Sequence, residues 1–73
     1  MKITYDRSAD AAYIYLKEAD PEDFGHTYPC DPIAVSGQIN LDFDKNKRLI
    51  GIEILDAGKK LPEELLGIAE IIG

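Results

Sequence analysis

The chain has 73 residues, 14 acidic against 8 basic, for a formal charge of -6, and it carries one cysteine and one histidine. That length allows a single domain, 1–73, with a core near the lower limit for folding alone, and the acidic surplus sets the chain against phosphate backbones and anionic membranes. A lone cysteine closes no internal disulfide, and no Cys/His set offers a structural zinc site, so both usual staples of a small domain are excluded and oligomerisation becomes the expected support.

In chain order, Ile3 and Tyr5 alternate with Lys2 and Thr4 in a first strand. DRSAD follows. Short Asp and Ser side chains bond nearby backbone, so a turn is predicted there with Asp6 and Asp10 as capping carboxylates. In AAYIYLKE, Ala12, Ile14 and Leu16 alternate with Tyr13, Tyr15 and Lys17, which gives a second strand one aliphatic and one aromatic face. Within EADPED, Pro21 ends that strand, because proline donates nothing to a ladder and holds Asp20 extended. Phe24, His26 and Tyr28 then suggest a weak third strand, placed at a sheet edge by Pro29 and Pro32. DPIAVSG fits either a loop or a brief extended piece through Ile33 and Val35.

Ile39, Leu41 and Phe43 alternate with Asn40, Asp42 and Asp44, and Ile50, Ile52 and Ile54 alternate with Leu49, Gly51, Glu53 and Leu55, as in two strands of a hairpin. A one-residue slip would send side chains to the wrong face, so burial specifies the register. A loop from Asp44 to Lys47 pairs Phe43 with Arg48, Leu41 with Ile50 and Ile39 with Ile52, whereas a loop one residue shorter sets Asp42 against Ile50 and Asn40 against Ile52. Each large aliphatic group kept from water contributes about 1.5–3 kcal/mol, so the longer loop is predicted. It needs a left-handed residue near its end, Asn46 or Lys47, and neither is glycine, so strain is expected there. After Gly58, LPEELLGIAEIIG reads as a closing helix with Pro62 at its first position and Glu63 and Glu64 at the positive end of its dipole. Leu65, Ile68, Ala69 and Ile72 share one face, with Leu61 and Leu66 beside it. So short a helix is marginal alone in water and must lie on the sheet or on a partner subunit. The expected fold class is α+β, a small antiparallel sheet of about four strands in hairpins followed by one C-terminal helix.

The segments YDRSADAAYIYL and INLDFDKNKRLIGIEILDA carry more than a strand pattern. Tyr5 and Asp6, the Ala9, Asp10, Ala11 turn into Tyr13 and Ile14, and the hairpin closing on Gly51, Ile52, Glu53, Ile54 and Leu55 resemble a small prokaryotic family, domain of unknown function 2283, over most of residues 1–60. Two departures stand out. Family hairpins usually carry glycine where this chain has Lys47, and EADPEDFG and YPCDP look distinctive to this chain. The resemblance implies no established activity and suggests, as one alternative, an antitoxin-like partner of an unknown toxin.

The chemistry offered by single residues is sparse. Asp42, Asp44, Asn46, Arg48 and Glu53 have the spacing of an EF-hand calcium loop, but that loop needs glycine where Lys47 stands, and Arg48 puts a second cation inside the cage. The flanks also alternate with a strand period, so a hairpin is expected in place of a calcium site. His26 and Cys30 fall on one strand face by even spacing, yet Pro29 interrupts them and no glycine-rich oxyanion or phosphate loop completes a site. Cys30 is expected as a small buried apolar group and His26 as a partly exposed polar one. No catalytic residue, metal or cofactor is predicted. Tyr13, Tyr15, Leu49 and Leu55 project opposite the isoleucines, so once a helix covers the isoleucine face they need another cover, either the loop from Asp20 to Gly37 or a second copy. These four residues form the predicted interaction surface. No apolar run approaches the roughly 20 residues of a membrane span, and MKITYDRS lacks the apolar segment of a secretory signal. The expectation is a cytoplasmic, non-enzymatic homodimer that works by protein association, with an unidentified protein partner in reserve and neither nucleic acid nor membrane as a target. The alternative is a small-ligand or metal-binding protein, or a weak enzyme, using Asp42, Glu53 or His26 near the hairpin.

Overall fold

The computed structural model of the chain describes residues 1–18 and 20–73. Strand β1 (Lys2–Asp6) turns into β2 (Ala11–Tyr15), a single 3-10 turn at Pro21–Asp23 leads into β3 (Phe24–Pro29), and β4 (Ile39–Asp44) and β5 (Leu49–Leu55) form the second hairpin. A one-turn helix α1 (Ala57–Lys60), a short helix α2 (Glu63–Ile68) and strand β6 (Glu70–Ile72) close the chain. The six strands make one sheet in the order β3-β4-β5-β2-β1-β6. All neighbours are antiparallel except β1 and β6. The class is therefore α+β, but the sheet is mixed and six-stranded with two short helices, where about four antiparallel strands and one helix were expected.

The predicted closing helix stops at Ile68, and Ala69 and Ile72 leave it: Ala69 is extended, with ψ 145, and Glu70, Ile71 and Ile72 run parallel to Thr4, Tyr5 and Asp6. The physical reason lies at both ends. Without β6 the outer backbone groups of β1 would form a bare edge, whereas Ile71 and Ile72 are β-branched and fit a pleated strand better than a helix containing Gly67. None of the residues of α2 is buried, so it lacks the apolar seat that lets so short a helix persist, and it serves as a connector that returns the chain to β1.

The β4–β5 register also differs from the prediction. Asp44 N–H donates to the Arg48 carbonyl at 2.8 Å, so the loop is Lys45–Lys47, the shorter alternative. That loop alone would set Asp42 against Ile50. A bulge corrects it: Phe43 faces Leu49 and Asp42 faces Gly51, leaving Ile50 as the extra residue, after which Leu41 opposes Ile52 and Ile39 opposes Ile54. The isoleucines thus recover their common face. The left-handed residue is Lys47, at φ 65, as the turn requires.

β3 is an edge strand, as its prolines predict, and all its residues are exposed. Beyond it, residues 31–37 form a compact turn rather than an extended piece, with Val35 N–H donating to the Asp31 carbonyl and Gly37 N–H to the Pro32 carbonyl. In the preceding acidic stretch, residue 19 lies outside the described residues.

The core is small. Ala12, Ile54 and Ala57 are buried together, with Tyr5, Ile14, Ile39, Ile52 and Leu61 packed around them, and no large side chain among the described residues is fully buried. Asp10, at φ 50, anchors α1 to this cluster: its carbonyl accepts Ala57 N–H at 2.9 Å and its carboxylate accepts Gly58 N–H at 2.9 Å and the Tyr5 hydroxyl at 2.7 Å. Lys60 Nζ then donates to the Val35 carbonyl at 2.7 Å and to that of Ser36, tying the 31–37 turn to α1.

Candidate functional site

Residues directly opposed across strands share a face, so the register sorts the sheet into two surfaces. On the first lie Ile3, Tyr5, Ala12, Ile14, Ile39, Leu41, Phe43, Ile52 and Ile54, continued onto the edge strand by His26 and Tyr28. None of these is an acidic or basic residue of the Asp, Glu, Lys, Arg kind. Ala57 and Leu61 roof only one end of this surface, and Ile14, Ile39, Leu41, Phe43 and Ile52 stay half-buried. The His26 ring stacks on Phe43 at 5.1 Å between centroids.

The second surface presents Tyr13 and Tyr15 from β2, Asn40 and Asp42 from β4, Glu53 from β5, Lys2, Thr4 and Asp6 from β1, and Thr27 from β3. Tyr13 spans two strands across it. Its hydroxyl donates to Asp42 Oδ2 at 2.5 Å, and Thr27 Oγ1 donates to Asp42 Oδ1 at 2.6 Å. The phenol can cross β5 only because position 51 is glycine, since a Cβ there would lie inside the Tyr13 ring and hydroxyl. Burial, and then the hydrogen bond to Asp42, raise the Tyr13 pKa well above the ordinary tyrosine range. Beside it, Asn40 Nδ2 donates to Glu53 Oε1 at 2.8 Å. Tyr15 packs at 4.6 Å from Tyr13 at a tilt of 55°, and the Lys2 ammonium stands 5.6 Å over the Tyr15 ring while pairing with Glu70 at 3.7 Å.

Of the predicted surface, Tyr13, Tyr15 and Leu55 share this second face, Leu55 opposing Ala11 at its end. Leu49 does not join them. The bulge sets it against Phe43, at the hairpin end of the first surface, where it is 38% exposed. The 31–37 turn does not reach the tyrosines, being held by Lys60 on the α1 side.

The remaining candidates serve other ends. The residues with EF-hand spacing are divided: Asp42 and Glu53 lie on the tyrosine face, whereas Asp44 Oδ1 accepts Asn46 N–H at 2.8 Å and Arg48 N–H at 2.9 Å and so holds the turn. The Arg48 N–H bond, with the Asn46 N–H bond behind it, lowers the Asp44 pKa against the opposing effect of burial. Among the described residues no group of three or more His, Cys, Asp or Glu is placed to hold a metal ion. His26 and Cys30 are four strand positions apart, about 13 Å, which separates them beyond any nucleophile–base contact. Cys30 is half-buried and its N–H donates to the Ile39 carbonyl at 2.8 Å. Asp6 caps its turn, accepting Ser8 N–H at 3.0 Å and Ser8 Oγ at 2.7 Å, and Asp10 reaches past its own turn to α1. A surface cavity lined by Met1, Lys2, Tyr15, Leu16, Lys17 and Glu18 borders the tyrosine face.

Lys2, Thr27, Asn40 and Gly51 all escaped the sequence reading of this surface. Only Gly51 carried a usable signal, because a glycine inside a strand marks the close approach of another group.

The profile of the family described as Protein of unknown function (DUF2283) matches residues 2–57, most of the chain, and the chain belongs to that family. No curated protein and no solved structure matches it. No helix among the described residues is long and apolar enough to cross a membrane.

Proposed function

We propose that this member of the DUF2283 family is a cytoplasmic, non-enzymatic protein-association module that acts as a homodimer, with its sheet supplying the contact surface. The observation that carries the reading is the half-covered isoleucine face, where Ile14, Ile39, Leu41, Phe43 and Ile52 remain partly open beyond the short roof of α1 and Leu61. A compact chain of 8.1 kDa exposes about 4,500 Å². This chain exposes 5079 Å². The excess, about 600 Å², approaches the roughly 800 Å² that each partner contributes to a standard interface. Charge favours the same face. Two copies at -6 repel one another, and an approach through strands whose side chains on that face include no Asp, Glu, Lys or Arg meets the least of that repulsion.

Light scattering coupled to size exclusion tests the reading directly: a mass of two chains at high micromolar concentration supports it, and a mass of one chain overturns it. A second association is favoured by a separate observation. Tyr13, Tyr15 and Leu55 face away from the isoleucine surface, and among the described residues the Asp42 and Glu53 carboxylates beside them receive hydrogen bonds from neutral donors only. That surface is assigned to a partner other than a second copy.

A further inference from the structure

Asp42 and Glu53, the carboxylates nearest Tyr13, are half-buried, yet among the described residues no lysine or arginine pairs with either: the ion pairs are Lys2 with Glu70, Lys17 with Asp23 and Arg48 with Asp44. Neutral donors orient Asp42 and Glu53 without cancelling their charge. Deeper burial in a complex would be costly unless a cation came with the partner. The face also shows how it receives one, since the Lys2 ammonium already rests over the Tyr15 ring with a carboxylate beside it. This is the arrangement in which an aromatic face and a nearby anion share one ammonium group.

From these features we infer that the tyrosine face docks an extended basic segment of another protein, its lysine or arginine side chains lying against Tyr13 and Tyr15 and pairing with Asp42 and Glu53. The spacing fits such a segment. Asn40 opposes Glu53, so Asp42 and Glu53 form a diagonal pair across β4 and β5, a separation of about 7–8 Å. Alternate side chains of an extended strand project to the same side about 7 Å apart, so two basic residues with one residue between them meet both carboxylates. A second copy does not fit, because it would bring the same carboxylates to the same place. The inference does not depend on dimerisation through the opposite face.

The test uses the full chain and a synthetic peptide alternating lysine with threonine, titrated at low ionic strength and followed by amide NMR, with the same peptide fully lysine-acetylated as control. The expected result is a saturable response centred on Tyr13, Tyr15, Asn40, Asp42 and Glu53 that the acetylated peptide does not produce. Asp42→Asn with Glu53→Gln should weaken binding about tenfold, equivalent to about 1.4 kcal/mol. Glu63→Gln with Glu64→Gln removes the same charge from α2 and should change it less than about twofold. Tyr15→Leu, which keeps both carboxylates and an apolar side chain, should weaken it about threefold. The inference is overturned if the wild-type chain does not respond, if the response centres on α2, if the acetylated peptide binds equally, or if the two charge variants lose the same affinity.

Discussion

The two faces of this sheet are made from alternate residues of the same strands, and they are held together by opposite means. The isoleucine face has a core of Ala12, Ile54 and Ala57 that excludes water without a single side-chain hydrogen bond among its members. The tyrosine face excludes less water but is cross-braced, with Tyr13 and Thr27 both bonded to Asp42 and Asn40 bonded to Glu53. Hydrophobic burial is non-directional and tolerates a partner's apolar surface in place of more core, whereas hydrogen-bonded side chains keep fixed positions and present a defined chemical pattern. This difference is what motivates the proposal that one face self-associates and the other recognises a partner.

Substitutions can break this contrast, and the largest effect belongs to the apolar side. Ile54 is 3% exposed, and Ile54→Ala should cost about 2–4 kcal/mol in chemical denaturation by removing part of a core that has no spare members. On the bonded side, Gly51→Val places branched carbon where the Tyr13 phenol lies. It should cost about 1–3 kcal/mol and detach Tyr13 from Asp42, visible as a lower Tyr13 pKa in ultraviolet titration. Tyr13→Phe deletes one donor and keeps the ring, so about 1 kcal/mol is expected, with the mass in solution the same as that of the wild type. If Tyr13→Phe proved as costly as Ile54→Ala, the distinction between the faces would fail.

The smallest effects are those of pH. Asp44, Asp10, Asp6 and Asp23 have folded-state pKa values held below the ordinary 3.8 by hydrogen bonds, from Arg48 N–H, the Tyr5 hydroxyl, the Ser8 hydroxyl and Asp20 N–H respectively. A lowered folded pKa means that the stabilisation is present above the unfolded value and is lost as pH falls through the folded one. Thermal melts should therefore be level from neutrality towards pH 5 and decline below about pH 4. Tyr13 behaves in the reverse sense. Its raised value favours the neutral phenol, so its contribution is intact below the ordinary 10.0 and lost only as pH rises past it. Of the four tyrosines, Tyr13 should ionise late in a spectrophotometric titration.

Much of this arrangement was legible in the sequence because strand periodicity is a local signal. The alternation of Ala12, Ile14 with Tyr13, Tyr15 assigned each side chain its face, and Pro29 placed β3 at the edge. What failed was long-range. LPEELLGIAEIIG has helical spacing, but Ile71 and Ile72 answer the open edge of β1, more than sixty residues away in the chain, which no local pattern reveals. The hairpin register was misread for a related reason: burial arguments correctly required one isoleucine face, but a bulge at Ile50 satisfies that requirement as well as a longer loop does. Leu49 was misplaced with it. Of the tyrosine face, the placing of Tyr13 and Tyr15 was readable from alternation, whereas the bonds of Thr27 and Asn40 to Asp42 and Glu53 cross strands and left no local signal.

Sedimentation equilibrium of two matched variants tests most directly the claim that the faces divide self-association from recognition. Leu41→Glu puts a charge on the isoleucine face and Tyr15→Glu puts one on the tyrosine face. The expected outcome is a two-chain mass for the wild type and Tyr15→Glu and a one-chain mass for Leu41→Glu, all three with the same far-ultraviolet circular dichroism. A wild type that sediments as one chain, or a dimer that survives Leu41→Glu and dissociates on Tyr15→Glu, would contradict the account.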